Sequence, residues 1–529
     1  MKTLLSTGAA KANDLYTVTT TSISEGELVS RVAAAVLDAL QEEDYNLNAP
    51  CILCGCGNNG ADGMALAVLL KEKGLDVQVV YTGKLYEPAP EPKKRKKNQP
   101  APEPMDPEKI GTPELEAMSE QCRERYAQLL TAKIPVLTEL PDTVTVYIDA
   151  VFGISFHGTL NAKIAAMFKE INTSDIPVVS IDIPSGVCAD TGAVAAGAVC
   201  ADLTVTVQAL KTGLILYPGA QHAGKITVAD VGIEQSPENM EKISYVLEDE
   251  DASLLSPERP ARSCKATFGR VLVIAGAPGM AGAAYLAATA AYRAGAGLVE
   301  ILTHSNNRTI LQQLIPEAIV TTYFGKKRLT KTVKNAVARA DAIVIGCGMG
   351  QGVISKRVLK TALRKATVPC VIDADALRLI AAKPGILKGV NKKQKPQVLI
   401  TPHVGEAAGL LGKKVSTDTV LADVYTASAT LVEKYKVNVL LKDTCSVINC
   451  IDGDVYVNTA GSTALATAGS GDVLAGLIGG LAAAKTHKNS IGTTAALAAY
   501  MHGKAGEAAE QSVGAQAAMA RDILDGLTK

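Results

Sequence analysis

The segment Thr467–Gly476, T-A-G-S-G-D-V-L-A-G, decides the fold and much of the chemistry. Gly469 and Gly471 bracket Ser470, Asp472 follows at once, and the apolar run Val473, Leu474, Ala475, Leu477, Ile478 opens a helix. Glycines just before a helix let backbone N–H groups converge on an anion, where the helix dipole adds partial positive charge. A carboxylate in the first turn gains from the same field and reaches whatever carries the anion. An anion hole beside a carboxylate base is what phosphoryl transfer to a hydroxyl requires. The alternative is a plain glycine turn with Asp472 as a helix cap.

Upstream of this segment, an α/β series points the same way. Strand 270–275 runs into G-A-P-G-M-A-G and an alanine-rich helix ending near Ala294. Strand 341–345 ends in G-C-G-M-G, strand 370–372 in D-A-D-A-L, strand 398–400 in T-P-H-V-G-E, and strand 439–441 in K-D-T-C-S. A hairpin around Asp452-Gly453 precedes the opening segment. One sheet edge therefore gathers glycine loops with Asp373, Asp375, His403, Glu406, Lys442 and Asp472. Glycine loops, a lysine and an aspartate base describe a small-molecule kinase better than a dehydrogenase.

The N-terminal half carries a second α/β series. A strand at 49–54 leads through a loop, G-C-G-N-N-G-A-D-G at 55–63, into a helix from Met64 to Lys73 and a strand at 76–81. Gly55-x-Gly57-x-x-Gly60 matches the dinucleotide fingerprint, but a Rossmann site wants an acid at the end of the second strand, and Tyr81-Thr82-Gly83 stands there. Strands 143–148 and 177–181 end in Asp149 and in D-I-P-S-G (Asp182–Gly186). Open α/β sheets bind ligands at that strand edge. Asn59, Asp149, Asp182 and Ser185 are oxygen donors suited to a hard monovalent or divalent cation, unless the two aspartates merely cap helices.

Between the strands, 84–110 alternates proline with a basic cluster, Lys93–Lys97, and reads as a solvated insertion; a nuclear signal is the sharper alternative. A composition shift at 236–263 reads as a linker. The expected domains are thus 1–235 and 263–529, joined by 236–262.

Composition narrows the class. A chain of 529 residues exceeds one core. Lys plus Arg (53) equals Asp plus Glu (53), Trp is absent and aromatics are 4%, so no nucleic-acid partner is expected. The eleven cysteines, an odd number, suit a reducing compartment, and Cys51, Cys54 and Cys56 lack the second pair that a zinc site needs. No apolar run is long enough to span a bilayer and the first residues lack a signal-peptide core, so a cytoplasmic location without membrane partners is expected.

These motifs carry a resemblance. G-N-N-G-A-D-G, D-A-V-F-G and D-I-P-S-G resemble the YjeF N-terminal family of NAD(P)HX epimerases. A-G-A-P-G-M-A-G-A-A, A-G-A-G-L-V, G-C-G-M-G, D-A-D-A-L, T-P-H-V-G-E and G-S-G-D-V-L-A-G resemble the ADP- or ATP-dependent NAD(P)HX dehydratases, of ribokinase-like fold. The resemblance implies two three-layer α/β domains, Rossmann-like then ribokinase-like. It also implies repair of NADHX and NADPHX, nicotinamide cofactors hydrated at C6 of the ring. One half interconverts the R and S epimers; the other dehydrates the S form with ADP or ATP and magnesium. A homo-oligomer is expected.

Family position implies residue roles. Asp472 and Asp182 are the catalytic candidates. Potassium falls to Asn59, Asp149 and Ser185. Epimerase ligand residues are Asn58, Asn59, Gly60, Ala61, Asp62, Asp182 and the loop Gly153, Ile154, Ser155, Phe156, His157, Gly158, Thr159. Dehydratase ligand residues are Ala283, Gly350, His403, Gly471, Asp472 and, at the nucleotide, Lys442, Asp443, Thr444, Cys445, Ser446. The chain departs from the family at Ala61, where glycine is usual, and at His157, where lysine is common. If a positive charge opposite Asp182 is needed, a histidine supplies it only on the acid side of neutrality. Two other classes remain open: a vitamin-precursor kinase in the second half, and a non-catalytic binding module in the first.

Overall fold

The computed structural model describes residues 1–86, 110–237, 243–390, 397–486 and 488–527. Most of the proline- and lysine-rich insertion lies outside the described residues. The chain separates into two compact units, one comprising Leu5–Met240 and the other Met1–Leu4 with Glu241–Lys529. No helix among the described residues is long and apolar enough to cross a membrane.

The first unit is built on a seven-stranded parallel sheet. Its spatial order is Val136–Leu137, Gln78–Tyr81, Pro50–Cys54, Val146–Ala150, Val178–Ile181, Leu203–Val207, Lys225–Ala229. Strand order reverses between Pro50–Cys54 and Val146–Ala150, which is where such sheets open a crevice. Strand residues alternate between two cores, as the period of two requires. Ile52, Ile148 and Val179 pack with the helices Glu25–Glu42 and Asn58–Glu72. Cys51, Leu53, Tyr147 and Val178 pack with Ile164, Phe168 and Ile171 of the helix Ala162–Thr173. Helices thus cover both faces of a sheet whose central strands are largely apolar.

Two expectations change here. The helix after the first strand begins at Asn58, so most of the stretch expected as a loop (55–63) forms its first turns. Asn and Gly are poor helix formers; tertiary packing overrides them, since Asn59, Gly60, Ala61 and Gly63 are all buried. A helix Thr7–Thr20 also stands where no element is expected. It is anchored by Asn13 and Thr17, whose side-chain oxygens accept from the backbone amides of Ser236 and Glu234.

The second unit has a larger mixed sheet. From one edge, Ile319–Tyr323, Leu298–His304, Arg270–Ile274, Ala342–Ile345, Cys370–Ile372, Val398–Ile400 and Asn438–Leu441 run parallel. The hairpin Ser446–Asn449/Val455–Asn458 follows, then Ile243–Val246 and the strand Lys2–Leu5. The stretch expected as a linker therefore contains a sheet strand and a helix, Asp249–Leu255, whose start is closed by a reciprocal Glu248/Asp251 capping box. Asp251 also takes an ion pair from the N-terminal ammonium at 2.7 Å. Strand order reverses between Arg270–Ile274 and Ala342–Ile345.

The alanine and glycine content of this half has a packing cause. Helix Ser470–Ala483 lies against helix Ala281–Arg293 so closely that a Cβ on Gly476 would stand 2.1 Å from the Ala287 carbonyl oxygen. Val271, Val273 and Val344 close the core under both helices.

Candidate functional sites in the two units

In the second unit the glycine turn does what its sequence indicates. Gly469 is the N-cap in the left-handed region (φ 94°), and no side chain caps the helix. Asp472 lies in the first turn without serving as the cap, so the capping alternative falls away. The Gly471 and Asp472 amides precede the first intrahelical bond, which Val473 N makes to the Gly469 carbonyl oxygen. A Cβ on Gly471 would stand 3.2 Å from the Lys442 ammonium and 3.7 Å from Asp373 Oδ2. A side chain there would press on the lysine where it approaches the helix start.

Lys442 Nζ donates to Asp373 Oδ1 at 2.8 Å. Asp373 is 2% exposed and precedes Ala374, which is held at φ 49°, a conformation that costs a non-glycine residue about 1–3 kcal/mol. The kink turns the D-A-D-A sequence so that Asp373 takes the lysine while Asp375 accepts from the Gly350 amide at 2.8 Å. Burial pulls the Lys442 ammonium down, but the Asp373 and Glu406 charges outweigh it and leave it raised.

Ligand atoms of Cys347, Asp373 and Asp472 lie within 4.8 Å of one another. Burial, then the Asp373 charge, push Asp472 up to about 6, against a Cys347 hydrogen bond and Lys442, which lower it. Burial first, then the Asp472 and Asp373 charges, hold the Cys347 thiol well above its usual range, so it remains a neutral donor. His502 Nε2 sits 3.1 Å from the Ser470 carbonyl oxygen, and burial lowers its imidazole to about 4. A neutral histidine thus braces the helix start from behind.

The remaining expected residues of this half take secondary places. His403 is the N-cap of helix Val404–Leu411, its Nδ1 accepting from Gly405 and Glu406 amides. Its neighbour Pro402 receives the Lys442 amide at 2.8 Å, so the T-P-H turn and the lysine adjoin through backbone. Ala283 is buried beside Gly348. Cys445 is buried, its thiol pushed up to about 11, and Ser446 Oγ donates to the Asp443 carbonyl oxygen.

In the first unit the strand-end carboxylates divide. Asp149, 1% exposed, accepts from Ser180 Oγ (2.9 Å), Ser185 N (2.8 Å), Ser185 Oγ (2.5 Å) and Val151 N (3.2 Å). Ser185 Oγ also lies 2.8 Å from the Phe152 amide, and Asn59 Nδ2 donates to the Phe152 carbonyl oxygen at 3.1 Å. Asn59 Oδ1 is buried without a hydrogen-bond partner. Asn59, Asp149 and Ser185 therefore do converge, at the point where strand order reverses, and neither aspartate is a helix cap.

Asp182 belongs to a different cluster. Its backbone is left-handed (φ 68°), and its Oδ1 accepts from Lys211 Nζ at 2.6 Å and Val207 N at 3.2 Å. The positive charge facing Asp182 is therefore Lys211, not His157. His157 is exposed, with Nδ1 3.6 Å from Cys188 Sγ. Lys211 is 2% exposed and was invisible as a partner because 29 residues separate the pair. Its one signal is a lysine inside the apolar run A-L-K-T-G-L-I-L. Asp62 and Asp14 join this cluster. Burial, then Asp182, push Asp14 up to about 6, and burial with Asp182 and Asp14 raises Asp62 well above the carboxylate range. Ala61, the departure from the family pattern, is fully buried in the core and leaves Asp62 in place.

Comparison with known proteins accounts for both units. Residues 25–213 match the family described as YjeF-related protein N-terminus, and residues 271–529 that described as NAD(P)H-hydrate dehydratase. The chain is 34% identical over 487 residues to the bifunctional NAD(P)H-hydrate repair enzyme Nnr of Moorella thermoacetica, covering 90% of this chain and 86% of that one. It is 32% identical over 503 residues to the Nnr of Coxiella burnetii, covering 95% and 94%. A solved ADP/ATP-dependent NAD(P)H-hydrate dehydratase from Bacillus subtilis, co-crystallized with ATP/Mg2+, is 29% identical, covering 53% of this chain and 95% of that one at a TM-score of 0.46. With both halves matched in order and over most of their length, the chain belongs to the family of bifunctional NAD(P)H-hydrate repair enzymes.

Proposed function

We propose that the two units carry the two repair steps, and that the Lys442–Asp373–Asp472 group at the start of helix Ser470–Ala483 is the dehydration centre. The observation that carries this is a lysine held within reach of the helix-start amides, beside a carboxylate pushed up to about 6. Family membership sets aside the vitamin-precursor kinase and the non-catalytic module. Asp472 takes the proton of the C6 hydroxyl, and the freed oxygen attacks the terminal phosphorus of the magnesium-bound nucleotide. Lys442 and the Gly471 and Asp472 amides stabilise the charge on the moving phosphoryl group. The nucleotide leaves one phosphate shorter, ATP as ADP or ADP as AMP. The ring nitrogen then expels the phosphate from C6, and loss of a proton from C5 restores the reduced nicotinamide. His403, Gly350 and Ala283 line the hydrated cofactor; Asp443 to Ser446 adjoin the nucleotide.

In the first unit Asp182 is the group that exchanges protons with the hydrated ring, with residues 58–62 and 153–159 around the cofactor. The partner-less Asn59 Oδ1, together with Asp149 and Ser185, fits a large, weakly hydrated monovalent cation, and potassium is the ion proposed. Bound there, it supplies positive charge beside the substrate. The enzyme works in the cytoplasm as a homo-oligomer. Hydrated NADH mixed with the protein and either ADP or ATP should regain the near-ultraviolet absorbance of NADH. R-epimer alone should be repaired faster in potassium than in sodium, and Asn59→Ala should remove that preference. No regain of absorbance with either nucleotide would refute the assignment.

A further inference from the structure

The hydrogen bonding around Lys211 is one-sided in a way that bears on the reaction. Its ammonium spends all three protons, on Asp182 Oδ1 (2.6 Å), Thr206 Oγ1 (3.0 Å) and the Val207 carbonyl oxygen (2.7 Å). It has none left for a substrate. Every hydrogen bond to the Asp182 carboxylate also falls on Oδ1, the Val207 amide and Thr206 hydroxyl adding to the lysine at 3.2 and 3.5 Å. Among the described residues Oδ2 takes no protein donor. The backbone at Asp182 is left-handed (φ 68°).

We propose that Lys211 is a positioning residue for epimerisation: by pinning Oδ1 of Asp182 it presents Oδ2 to the C6 hydroxyl of the hydrated nicotinamide. This rests on the function proposed above for the first unit. Oδ2 takes the hydroxyl proton, the oxygen's electron pair forms the C6 carbonyl, and the C6–N1 bond breaks with its pair going to N1. Asp182 returns the same proton to N1. Rotation of the freed aldehyde and reversal of each step on its other face yields the other epimer, with no co-reactant consumed.

The surrounding charges explain why a lysine is needed. Asp14, from helix Thr7–Thr20, and Asp62, from helix Asn58–Glu72, both face Asp182, with Glu25 beside Asp14 and Arg125 beside Asp62. Asp182 and Asp14 both feel the buried Lys211 ammonium, while burial holds Asp62 well above the carboxylate range. Without the lysine, Asp182 would lose the donor that fixes Oδ1, and its carboxyl would be free to turn away.

The experiment uses the full-length protein and follows interconversion of purified R- and S-NADHX by chromatography, without nucleotide. Wild type interconverts them if the parent reading holds; a wild type that does not would sink that reading and leave the Lys211 test without a reaction. Lys211→Met keeps the volume and removes the charge. We expect kcat for epimerisation to fall about 100-fold, KM to stay within threefold, and dehydration of the S epimer to remain at the wild-type rate. Lys211→Ala should regain at least tenfold on addition of ethylammonium, which a purely structural lysine would not show. If the Met variant loses the fold in a thermal melt, Thr206→Val decides instead: it removes one acceptor of the ammonium and should lower kcat several-fold at unchanged KM. Wild-type kcat in Lys211→Met, or in Thr206→Val when the former is unfolded, overturns the proposal, as does a loss carried wholly by KM.

Discussion

Each unit sets a candidate carboxylate near a lysine beyond the strands of its sheet, yet the two lysines are deployed differently. Lys211 bonds directly to Asp182 and is used up by that contact and its neighbours. Lys442 bonds instead to Asp373, leaving Asp472 with a thiol donor and a carboxyl pushed up to about 6. The difference matches the chemistry proposed for each half. Moving a proton on and off one ring needs a fixed carboxylate and no travelling charge. Transferring a phosphoryl group needs a cation facing the phosphate and a separate base that titrates near the working pH. Pairing the lysine with the base itself would spend one on the other.

The largest effect that tests this contrast is Asp472→Asn. Loss of the base should cut S-NADHX dehydration by about two to four orders of magnitude while epimerisation proceeds as before. Near-normal turnover would remove Asp472 from the mechanism. The same variant should gain stability. A carboxyl whose folded pKa is raised opposes folding only once ionised, so the penalty is absent below about pH 4 and complete above about pH 6. Its size at pH 7 is at most about 3 kcal/mol. Thermal melts at both pH values, wild type against Asp472→Asn, should therefore differ at pH 7 and converge at pH 4.

Next in size is the acid limb. Dehydration should fall roughly tenfold per pH unit below about 6, as Asp472 takes up its proton. A dehydration rate level from pH 7 down to pH 5, measured on pure S epimer, would show that the raised carboxyl is not the base.

Much of this was legible in the sequence. Glycines, prolines and strand-end carboxylates are local signals, so both sheets, the helix start at Gly469 and the convergence of Asn59, Asp149 and Ser185 followed from spacing and resemblance. What escaped was set by long-range contact or tertiary override. The turns at Asn58–Gly63 are helical because Asn59, Gly60, Ala61 and Gly63 are buried, against their own propensity. The acidic, proline-flanked stretch after Ser236 reads as a linker, although Ile243–Val246 joins the sheet beside Val455–Asn458 and Glu248 and Asp251 close a helix start. Lys211 and His502 meet their partners across 29 and 32 residues, and no local pattern announces such pairs. The G-C-G-M-G loop was visible; that its thiol donates to Asp472 was not.

That thiol carries the smallest and sharpest prediction. The Cys347 hydrogen bond favours the ionised form of Asp472, opposing burial and the Asp373 charge, which favour the protonated form. Cys347→Ala removes the donor and leaves the other two influences in place. The midpoint of the acid limb should then move upward, by about half a pH unit. That corresponds to about 0.7 kcal/mol, within the range of one net hydrogen bond. Cys347→Ser keeps a donor of similar size at the same place and should hold the midpoint near that of wild type. The comparison between units sharpens accordingly: epimerisation, whose carboxylate is held by Lys211 rather than a thiol, should show the same pH profile in all three proteins. A midpoint that moves downward in Cys347→Ala, or shifts equally in both reactions, would mean that the thiol acts on the fold as a whole rather than on the base beside it.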